Sequence, residues 1–476
     1  MRALGLTLIA MSAFASAACT KANPNYCSEA GINLDYSCAA LDAARHDAHD
    51  VGGDAGEVGD AGEVGDAIDA AKESAPEAKP PVCVTDDQCS AVADAGTPAC
   101  GARDGGAACV QCTDSKKHCT DPKKPACDLA AQQCVECIGA GTECTADATK
   151  SACNKATQSC VECLDNTTCN GTKPICDTTK NTCRPCNADA ECKDAPGICV
   201  DYDGHCAKAL EVAVLDRAGA CDATQSSYCT AASAVAALST NKPILLVTGT
   251  MPVGAINISG AAPDPVLIVG RGGASVAAGG DDVAGIRING LRKAWVRDLK
   301  ITGQNIGVLA DAGADLHLTR CIATGNGAGG IWTNGASFDI SNTVIAANQQ
   351  GDGSGGVSWA GARLGAVPTG GTGRFQNNTV VDNAQVGIAC SSPYDVSTNI
   401  VHGNAGAEIV NCGPSNCCGD GDPDPKLDSM YHLTSMSPCI GKILATAMSP
   451  TMDIQGQPRP GPPAGRLDCG ADQFVP

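Results

Sequence analysis

The chain has 476 residues, of which 32 are Cys and 56 are Gly, while Trp, Tyr and Phe number only 3, 6 and 4. Its formal net charge of −20 argues against nucleic acid or an anionic membrane surface as a partner, because both attract clustered Lys and Arg. So many Cys with so little aromatic mass also argue against an ordinary cytosolic enzyme. The length predicts about two to four domains.

The N-terminal segment, residues 1–18, is typical of a secretory signal peptide. A positive residue precedes an apolar run that is too short to span a membrane and ends in small residues. Residues 16–19 (SAAC) resemble a bacterial lipobox, although Leu is preferred where Ser16 stands. This pattern implies lipidation of Cys19 and display on the outer membrane or the cell surface. Residues 15–17 (ASA) alternatively fit simple cleavage, which would give a secreted or periplasmic protein.

Residues 19–82 are predicted to form an acidic, low-complexity, disordered linker. Within them, residues 41–80 carry eleven Asp or Glu against three Lys or Arg, and the segment DAGEVG occurs twice in tandem over residues 54–65. No apolar periodicity is present, so this segment cannot bury enough surface to offset the entropy of ordering it. We therefore expect a spacer, with Cys27 paired to Cys38 near its start. A calcium-binding acidic run is the alternative, but it lacks the ligand spacing of a loop site.

A cysteine repeat fills residues 83–206. Twenty Cys form five sets of four, and each junction between sets is a C-x-x-C (CVQC, CVEC, CVEC, CRPC). Because Tyr202 is the only aromatic residue here, disulfides must supply the stability that a core cannot, at two per unit with three possible connectivities. Zinc and redox sites share this motif, but we expect neither a metal nor a redox centre in an exported repeat. The predicted disulfide-forming residues are Cys83, Cys89, Cys100, Cys109, Cys112, Cys119, Cys127, Cys134, Cys137, Cys144, Cys153, Cys160, Cys163, Cys169, Cys176, Cys183, Cys186, Cys192, Cys199 and Cys206.

This array resembles the small Cys-rich repeats of extracellular proteins, in the style of receptor ectodomains or Dickkopf proteins. The resemblance covers the Cys spacing only. It implies a stalk or an interaction surface rather than catalysis.

A second repeat follows over residues 209–476, where Gly, Asn, Val and Ile become frequent. A short helix is expected over residues 230–238 and a strand over residues 242–247. Similar apolar positions then recur with spacings of 21, 22, 36 and 20 residues, about one turn of a solenoid, and a Gly-apolar step recurs between them. The recurring positions are Ile301, Ile322, Val344, Val380 and Ile400. The steps are Gly285-Ile286, Gly307-Val308, Gly330-Ile331, Gly356-Val357 and Gly387-Ile388.

Alternation before these recurring positions predicts which side chains point inward. Positions six and four residues earlier are mostly apolar, and those five and three residues earlier are mostly polar. The expected inward residues are Trp295, Leu316, Phe338, Arg374, Tyr394, Arg297, Leu318, Ile340, Gln376 and Val396. The expected outward residues are Val296, His317, Asp339, Phe375, Asp395, Asp298, Thr319, Ser341, Asn377 and Ser397.

These features resemble the right-handed parallel β-helix of the pectate-lyase-like superfamily. Asn342 and Asn378 match a partial asparagine ladder at a tight turn, and the C-terminal segments (DPDP, YHL, SPCI, DIQGQPRP, DCGAD) resemble the tail of exported bacterial β-helix proteins. The resemblance implies a mainly β fold, in which a solenoid over roughly residues 209–476 follows a small disulfide-rich repeat domain. A leucine-rich solenoid would need regular Leu spacing and a helical arc in each repeat, and neither is present.

Pectin-cleaving relatives carry Asp clusters that bind calcium beside an Arg base, or paired Asp residues that begin with Asn-Thr-Asp. Here Val344 and Val380 stand where that Asp would be, which argues against hydrolysis. The remaining candidates for acid–base chemistry are His317 with Asp339 on the next coil and Asp298 nearby. A solvated polar face is the preferred alternative. No cofactor is expected, and calcium would be needed only for a lyase.

Two further groups of residues are singled out. The Gly-rich insertion between the third and fourth coils contains Trp359 and Arg363, which either contact a ligand or lie in a functionless excursion. Several Cys outside the array are expected to be cross-linked, and Cys321 is expected to be an unpaired, buried thiol. The expected cross-linked pairs are Cys221 with Cys229, Cys390 with Cys412 one coil later, and Cys439 with Cys469, while Cys417 and Cys418 are adjacent.

The sequence thus predicts an exported envelope or surface lipoprotein that binds an extracellular or envelope protein or glycan without catalysis. The alternative is a carbohydrate-active enzyme, a polysaccharide lyase or glycoside hydrolase, that works on the β-helix face. A purely structural stalk is the third possibility.

Overall fold

The computed structural model describes residues 83–475, apart from residues 91–98, 104–105, 140–142, 220, 223, 225, 261, 278–282, 350–358, 414–416, 419–422, 447 and 462–464. The predicted signal peptide, Cys19, the Cys27–Cys38 pair and the acidic linker therefore lie outside the described residues. Within the described part of the chain, no helix has the length and apolar character needed to cross a membrane.

Residues 83–206 form five small units, numbered 1 to 5, each held by two disulfides. The first Cys of each unit bonds the third and the second bonds the fourth, which selects one of the three connectivities that the sequence left open. The pairs are Cys83–Cys100, Cys89–Cys109, Cys112–Cys127, Cys119–Cys134, Cys137–Cys153, Cys144–Cys160, Cys163–Cys176, Cys169–Cys183, Cys186–Cys199 and Cys192–Cys206. The buried residues of these units are mostly the half-cystines themselves, so cross-links stand where a larger domain has a core.

Each of units 1 to 4 contains one antiparallel hairpin, and unit 5 has a single bridge between Cys199 and Cys206 in its place. The hairpin strands are Ala99–Arg103 with Gly106–Val110, Ala126–Asp128 with Gln133–Val135, Ala152–Asn154 with Ser159–Val161, and Ile175–Asp177 with Thr182–Arg184. The short helices are Asp86–Ser90 and Ser115–His118, with 3₁₀ turns at Asn166–Thr168, Asp189–Glu191 and Ala209–Glu211.

A polar side chain three residues after the first Cys caps the third Cys in several units. In unit 1, Asp86 accepts a hydrogen bond from the Cys100 backbone N–H at 2.9 Å. In unit 4, Asn166 does the same for the third Cys at 2.9 Å, and in unit 5 Asp189 does so at 2.8 Å. Because Asn and Asp serve equally, the cap requires an oxygen acceptor but no charge.

From Val212 onward the chain winds through three parallel sheets, which confirms the predicted right-handed β-helix. We call them sheets A, B and C; each full coil passes through A, then C, then B. Sheet A consists of Val212–Leu215, Ser227–Tyr228, Ile244–Val247, Val266–Gly270, Lys293–Arg297, Asp315–Thr319, Ser337–Ser341 and Gly373–Gln376. Sheet B consists of Ile256–Ile258, Ala284–Ile288, Ile306–Ala310, Ile331–Thr333, Trp359–Leu364, Val386–Cys390 and Ile409–Val410. Sheet C consists of Ser275–Ala277, Lys300–Thr302, Ile322–Thr324, Val344–Ala346, Thr379–Val381 and Ile400–His402.

The helix Ala231–Ala236 precedes the first full coil. Thr230 is its N-cap and accepts a hydrogen bond from the Ser233 backbone N–H at 3.3 Å. Ala231 and Ala234 are buried on the face that packs against the coil interior, so this helix covers apolar side chains at the start of the solenoid.

The coil interior is a stack of small and branched apolar side chains, and it shows that the predicted register was wrong by one residue in two coils. Val296 and Phe375 are fully buried, whereas Arg374 and Gln376 lie on the outer face beside Ser341. The error came from aligning Ile301 with Ile322 and Val344 with Val380. A shift of one residue turns every side chain of a strand to the other face. Trp295 and Arg297 also face outward for this reason.

In sheet C, the inward row is Ile301, Ala323, Ile345, Val380 and Val401. The neighbouring outward row contains Val344 and Ile400, which are buried because the C-terminal tail packs over them, and Ile322, which the tail buries only in part. A sheet that is covered on both faces shows no apolar alternation, so its phase cannot be found from the pattern alone.

A buried asparagine ladder runs along the turn between sheets C and B. The Asn326 amide donates to Asn348 at 2.8 Å, Asn348 donates to Asn383 at 2.9 Å, and Asn383 donates to Asn404 at 2.8 Å. The glycine of each Gly-apolar step leaves room for it: a Cβ on Gly330 would lie 2.9 Å from the Asn348 amide nitrogen. The glycine repeat is therefore a packing requirement of the ladder.

Of the two residues that were predicted to form an asparagine ladder, Asn378 does so and Asn342 does not. The Asn378 side-chain oxygen accepts a hydrogen bond from the Thr343 backbone N–H at 3.0 Å, and the Asn378 backbone N–H donates to the Asn399 side-chain oxygen at 2.8 Å, so Asn378 belongs to a second, shorter ladder. Asn342 does not, because it occupies the preceding left-handed position (φ 47°) and donates to the carbonyl of Met452. The predicted step at Gly356-Val357 lies outside the described residues, and Gly361 stands in register with Gly330 in its place.

The C-terminal tail is fastened by disulfides whose pairing corrects one prediction. Cys439 bonds Cys418, and Cys469 bonds Cys417, so Cys439 and Cys469 are not partners. Adjacent residues of an extended chain point to opposite sides, and the two neighbouring Cys therefore reach different parts of the tail. The structure also contains the Cys221–Cys229 and Cys390–Cys412 disulfides and a buried free thiol at Cys321. In the described part of the tail, the short strand Ile443–Leu444 pairs with Arg466–Leu467.

Candidate functional site

The outer face of sheet A changes from apolar to polar along the stack. One row of paired positions runs Val212, Ile244, Leu267, Trp295, His317, Asp339 and Arg374. The next outward row runs Val214, Leu246, Val269, Arg297, Thr319, Ser341 and Gln376. Unit 5 of the array covers the apolar half, and the polar half remains open.

The open half is the floor of a groove with a cavity of about 300 Å³. Unit 5 supplies one wall through Asn187 and Asp201, and the tail supplies the other through residues 448–452. Two residues of the floor hold the tail wall in place by hydrogen bonds. Gln376 donates to the Met448 carbonyl at 3.1 Å, and Asn342 donates to the Met452 carbonyl at 2.7 Å. Three segments that are far apart in sequence thus meet at this groove, which we call the sheet-A groove.

An aromatic stack lies at the array end of the groove floor. The rings of Trp295 and His317 are parallel, with 4.3 Å between their centroids, and Tyr202 of unit 5 lies tilted against Trp295 at 5.4 Å. His317 Nε2 lies 3.4 Å from Asp315 Oδ1. The hydrogen bond to His317 holds the pKa of Asp315 below its usual range. The imidazole is therefore held both by stacking and by a carboxylate.

Asp339 is the next floor residue, in register with His317. Burial raises the pKa of Asp339, although the Arg374 guanidinium, whose Nη1 lies 3.2 Å from Asp339 Oδ2, acts in the opposite direction. The contact with Arg374 uses one of the two carboxylate oxygens. A partly buried carboxyl with a raised pKa beside a histidine is the strongest candidate for acid–base chemistry in the groove.

The sequence placed Asp298 beside His317 and Asp339, but the structure does not. Asp298 occupies a left-handed turn position (φ 61°) after its strand, and both carboxylate oxygens bind Arg320, at 2.7 and 2.8 Å. Burial alone would raise the pKa of Asp298, but Arg320 and Arg297 outweigh it and lower the pKa. Asp298 is thus a structural partner of two arginines and not an outward neighbour of His317.

The proposed ligand-loop residues lie elsewhere, on sheet B. Trp359 is fully buried in an apolar cluster with Ile306 and Val386, and Arg363 lies over the Trp332 ring at 5.1 Å. Neither residue reaches the sheet-A groove. The first part of the Gly-rich insertion, residues 350–358, lies outside the described residues.

Sequence reasoning missed several groove residues. Arg374 and Gln376 were assigned to the interior by the register error, and nothing local indicates that Asn187, Asp201 or the tail comes close to sheet A. In each of units 1 to 5, the sulfur atoms of three Cys lie close enough together to suggest a metal site. All of these Cys are already in disulfides, so the clusters do not make a metal site in the described array.

Comparison with known proteins supports the fold and gives no activity. Residues 284–418 match the family model described as the right-handed beta helix region, which covers the coils from sheet B at Ala284 to Cys418 of the tail. No curated protein and no solved structure matches the chain. The matched segment includes the His317–Asp339 floor of the groove and excludes the array that forms its wall.

Proposed function

We propose that this protein is an exported binding protein whose sheet-A groove recognises a hydroxyl-rich ligand, such as a glycan chain, without cleaving it. The observation that carries the proposal is the change of the sheet-A outer face from apolar to polar where unit 5 ends. The floor then offers the carboxylate of Asp339, the guanidinium of Arg374 and the amide of Gln376 on adjacent strands. Alternating acceptors and donors on a rigid sheet suit sugar hydroxyls, which both donate and accept.

The compartment is part of this proposal. Fourteen disulfides among the described residues are typical of an exported protein. Attachment to the outer membrane through a lipidated Cys19, with the acidic segment as a spacer, remains a proposal. Intact mass of protein purified from the native envelope would test it, because a diacylglyceryl-modified N-terminal Cys is heavier than the simply cleaved chain.

Glycan binding is tested with the purified, fully oxidised protein on an array of neutral and acidic oligosaccharides, followed by calorimetry on the best binder. Arg374→Gln should weaken binding about tenfold, since it removes charge-assisted hydrogen bonds from the floor. Arg363→Gln is the matched control, because Arg363 is on sheet B, and it should bind as the wild type does. Equal binding by wild type and Arg374→Gln would refute the proposal.

A second candidate is a carbohydrate-active enzyme, a polysaccharide lyase or glycoside hydrolase, and the raised pKa of Asp339 favours it. A carboxyl that stays protonated at higher pH can donate a proton to a leaving group. The test is release of reducing ends or unsaturated products from polygalacturonate, alginate, xylan and chitin, with and without calcium. Cleavage that disappears in both Asp339→Asn and His317→Ala would establish the enzyme and overturn the non-catalytic proposal.

A further inference from the structure

We propose that unit 5 of the cysteine array, residues 186–206, is a fixed wall of the ligand site, that Arg297 positions it, and that Asn187 and Asp201 take part in recognition. This inference rests on the proposed function of the sheet-A groove. It assigns to the array a role in binding that a stalk would not have. Unit 5 contacts sheet A through an apolar part and a polar part, and it presents a wall to the groove.

The apolar part is a shared core between unit 5 and sheet A. Ile198 and Val200 of unit 5 are fully buried against the outward residues Ile244, Leu267 and Val269. These side chains stand on the outer face of the first coils, which water would otherwise wet. Burying them removes apolar surface from water, which holds unit 5 against the solenoid.

The polar part is centred on Arg297, whose side chain is 3% exposed. Its Nε donates to Asp201 at 2.7 Å, and Nη1 and Nη2 donate to the two carboxylate oxygens of Asp189 at 3.1 and 2.7 Å. The remaining two N–H groups meet Asp298 at 2.7 Å and the Cys199 carbonyl at 3.0 Å. All five guanidinium donors are therefore used, and four of the five hydrogen bonds go to unit 5.

The charge balance supports the same role. Burial alone would lower the pKa of Arg297, but the carboxylates of Asp201, Asp189 and Asp298 outweigh it and raise the pKa. A buried arginine with three carboxylates fixes geometry more than it adds stability, because desolvation offsets much of the Coulomb gain. Arg297 is thus a positioning residue: it sets where unit 5 sits beside the groove.

Comparison of the units shows what Asp189 adds. Asn166 of unit 4 caps its third Cys as Asp189 does, and it has no partner on the β-helix among the described residues. An amide oxygen, as in Asn166, is therefore enough to accept the hydrogen bond of the cap. The second oxygen and the negative charge of Asp189 serve the contact with Arg297, and Asp189→Asn tests that contact while it keeps the cap.

The wall itself carries groups that the fold does not use. Asn187 is exposed, lines the groove, and makes no side-chain hydrogen bond to any described residue. Asp201 uses Oδ2 for Arg297, and its Oδ1 has no hydrogen-bond partner within the described part of the chain. An amide and a carboxylate oxygen at the rim of a polar groove are suitable contacts for ligand hydroxyls.

The experiment measures two quantities on the full-length oxidised protein. The first is affinity for cellohexaose, xylohexaose and chitohexaose by calorimetry, and the second is the rate of tryptic cleavage after Lys208, just beyond unit 5. Asn187→Ala should weaken binding of the best hexasaccharide about tenfold and leave the cleavage rate unchanged. Asp189→Asn should weaken binding and also accelerate cleavage several-fold, since unit 5 then detaches more often.

Asn170→Ala is the matched control, because Asn170 is an exposed unit 4 residue outside the groove. It should change neither quantity. Wild-type affinity in both Asn187→Ala and Asp201→Asn would overturn the role of the wall, and an unchanged cleavage rate in Asp189→Asn would overturn the positioning role of Arg297. If the wild type bound none of the hexasaccharides nor any glycan of the array, the proposed function would fall, while the cleavage rates would still decide how unit 5 is held.

Discussion

Trp295 lies flat against His317, with their rings parallel to within 2° and their centroids 4.3 Å apart. The two residues are direct neighbours on adjacent coils of sheet A, so the strand spacing itself sets the stacking distance. The stack marks the boundary between the part of sheet A that unit 5 covers and the part that is open. It therefore connects the array to the candidate site.

This stack should be worth a measurable coupling energy. We expect a double-mutant cycle of Trp295→Leu and His317→Leu in denaturant unfolding to give an interaction of about 1 kcal/mol. Trp332 lies on sheet B, so the cycle of Trp332→Leu with His317→Leu is the control and should be additive. A coupling near zero for the stacked pair would show that the contact is only a consequence of strand pairing.

The asparagine ladder should be costly to interrupt. The Asn348 side-chain oxygen accepts hydrogen bonds from the Asn326 backbone N–H at 3.1 Å and from the Asn326 side-chain amide at 2.8 Å. The Asn348 side-chain amide donates to Asn383 and to the Ala323 carbonyl. Asn348→Ala leaves these buried groups unpaired, and we expect it to lower the free energy of unfolding by about 3 kcal/mol.

The control for the ladder is Asn305→Ala, because the Asn305 side chain is exposed and makes no hydrogen bond to the described residues. Urea unfolding followed by circular dichroism should give a loss of no more than about 0.5 kcal/mol for it. Equal effects of the two substitutions would mean that the ladder does not stabilise the coils.

Some features of the fold could be predicted from the sequence, and others could not. The repeat of about 22 residues and the two disulfides per unit follow from spacing, whereas the β-helix is what the resemblance to the pectate-lyase-like superfamily implies. Which residues point inward was harder to predict, because Ile322 is partly covered by the tail while its neighbour Ala323 is buried inside the coil. The meeting of Asp201 with Arg297 could not be predicted, since no local pattern links residues almost one hundred positions apart.

Two carboxylates on the outer face of sheet A, those of Asp339 and Asp315, should change the stability of the fold with pH in opposite directions. The pKa of Asp339 is raised by burial, so its ionisation destabilises the fold as pH rises from the unfolded-state pKa through the folded one. Asp339→Asn should therefore raise the urea midpoint at pH 7, and the gain should shrink towards pH 3.

Asp315 is the matched control with the opposite sign. Its pKa is lowered by the hydrogen bond from His317, so its charge stabilises the fold above the unfolded-state pKa, and this stabilisation is lost as pH falls through the folded one. Asp315→Asn should lower the midpoint at pH 7 and have less effect at pH 3. Shifts of the same sign for both variants would contradict the assignment.

Cys321 should be chemically silent in the native protein. Its thiol is fully buried beneath sheet A, and burial raises its pKa to about 12, so almost no thiolate exists at neutral pH. We expect iodoacetamide to label Cys321 only after unfolding in denaturant without reductant, as peptide mapping would show. Labelling of Cys321 in the folded protein at pH 7.5 would mean that the coil opens locally far more often than its packing implies.

The apolar half of the sheet-A face predicts where the chain can be cut. A chain that begins at residue 209 loses unit 5 and exposes Ile244, Leu246, Leu267 and Val269 on one face. Contiguous apolar patches of this kind promote association. We expect this chain to be oligomeric or aggregated in size-exclusion chromatography and to bind the dye ANS.

A chain that begins at residue 185 keeps both disulfides of unit 5 and its contacts with Arg297, and it should remain monodisperse with native circular dichroism. The comparison separates loss of unit 5 from loss of the array as a whole, because units 1 to 4 are absent from both chains. Should the chain from residue 209 be monomeric and as stable as the chain from residue 185, unit 5 would be a dispensable neighbour of the β-helix. The functional boundary would then lie at residues 206–209, where the change in composition first placed it.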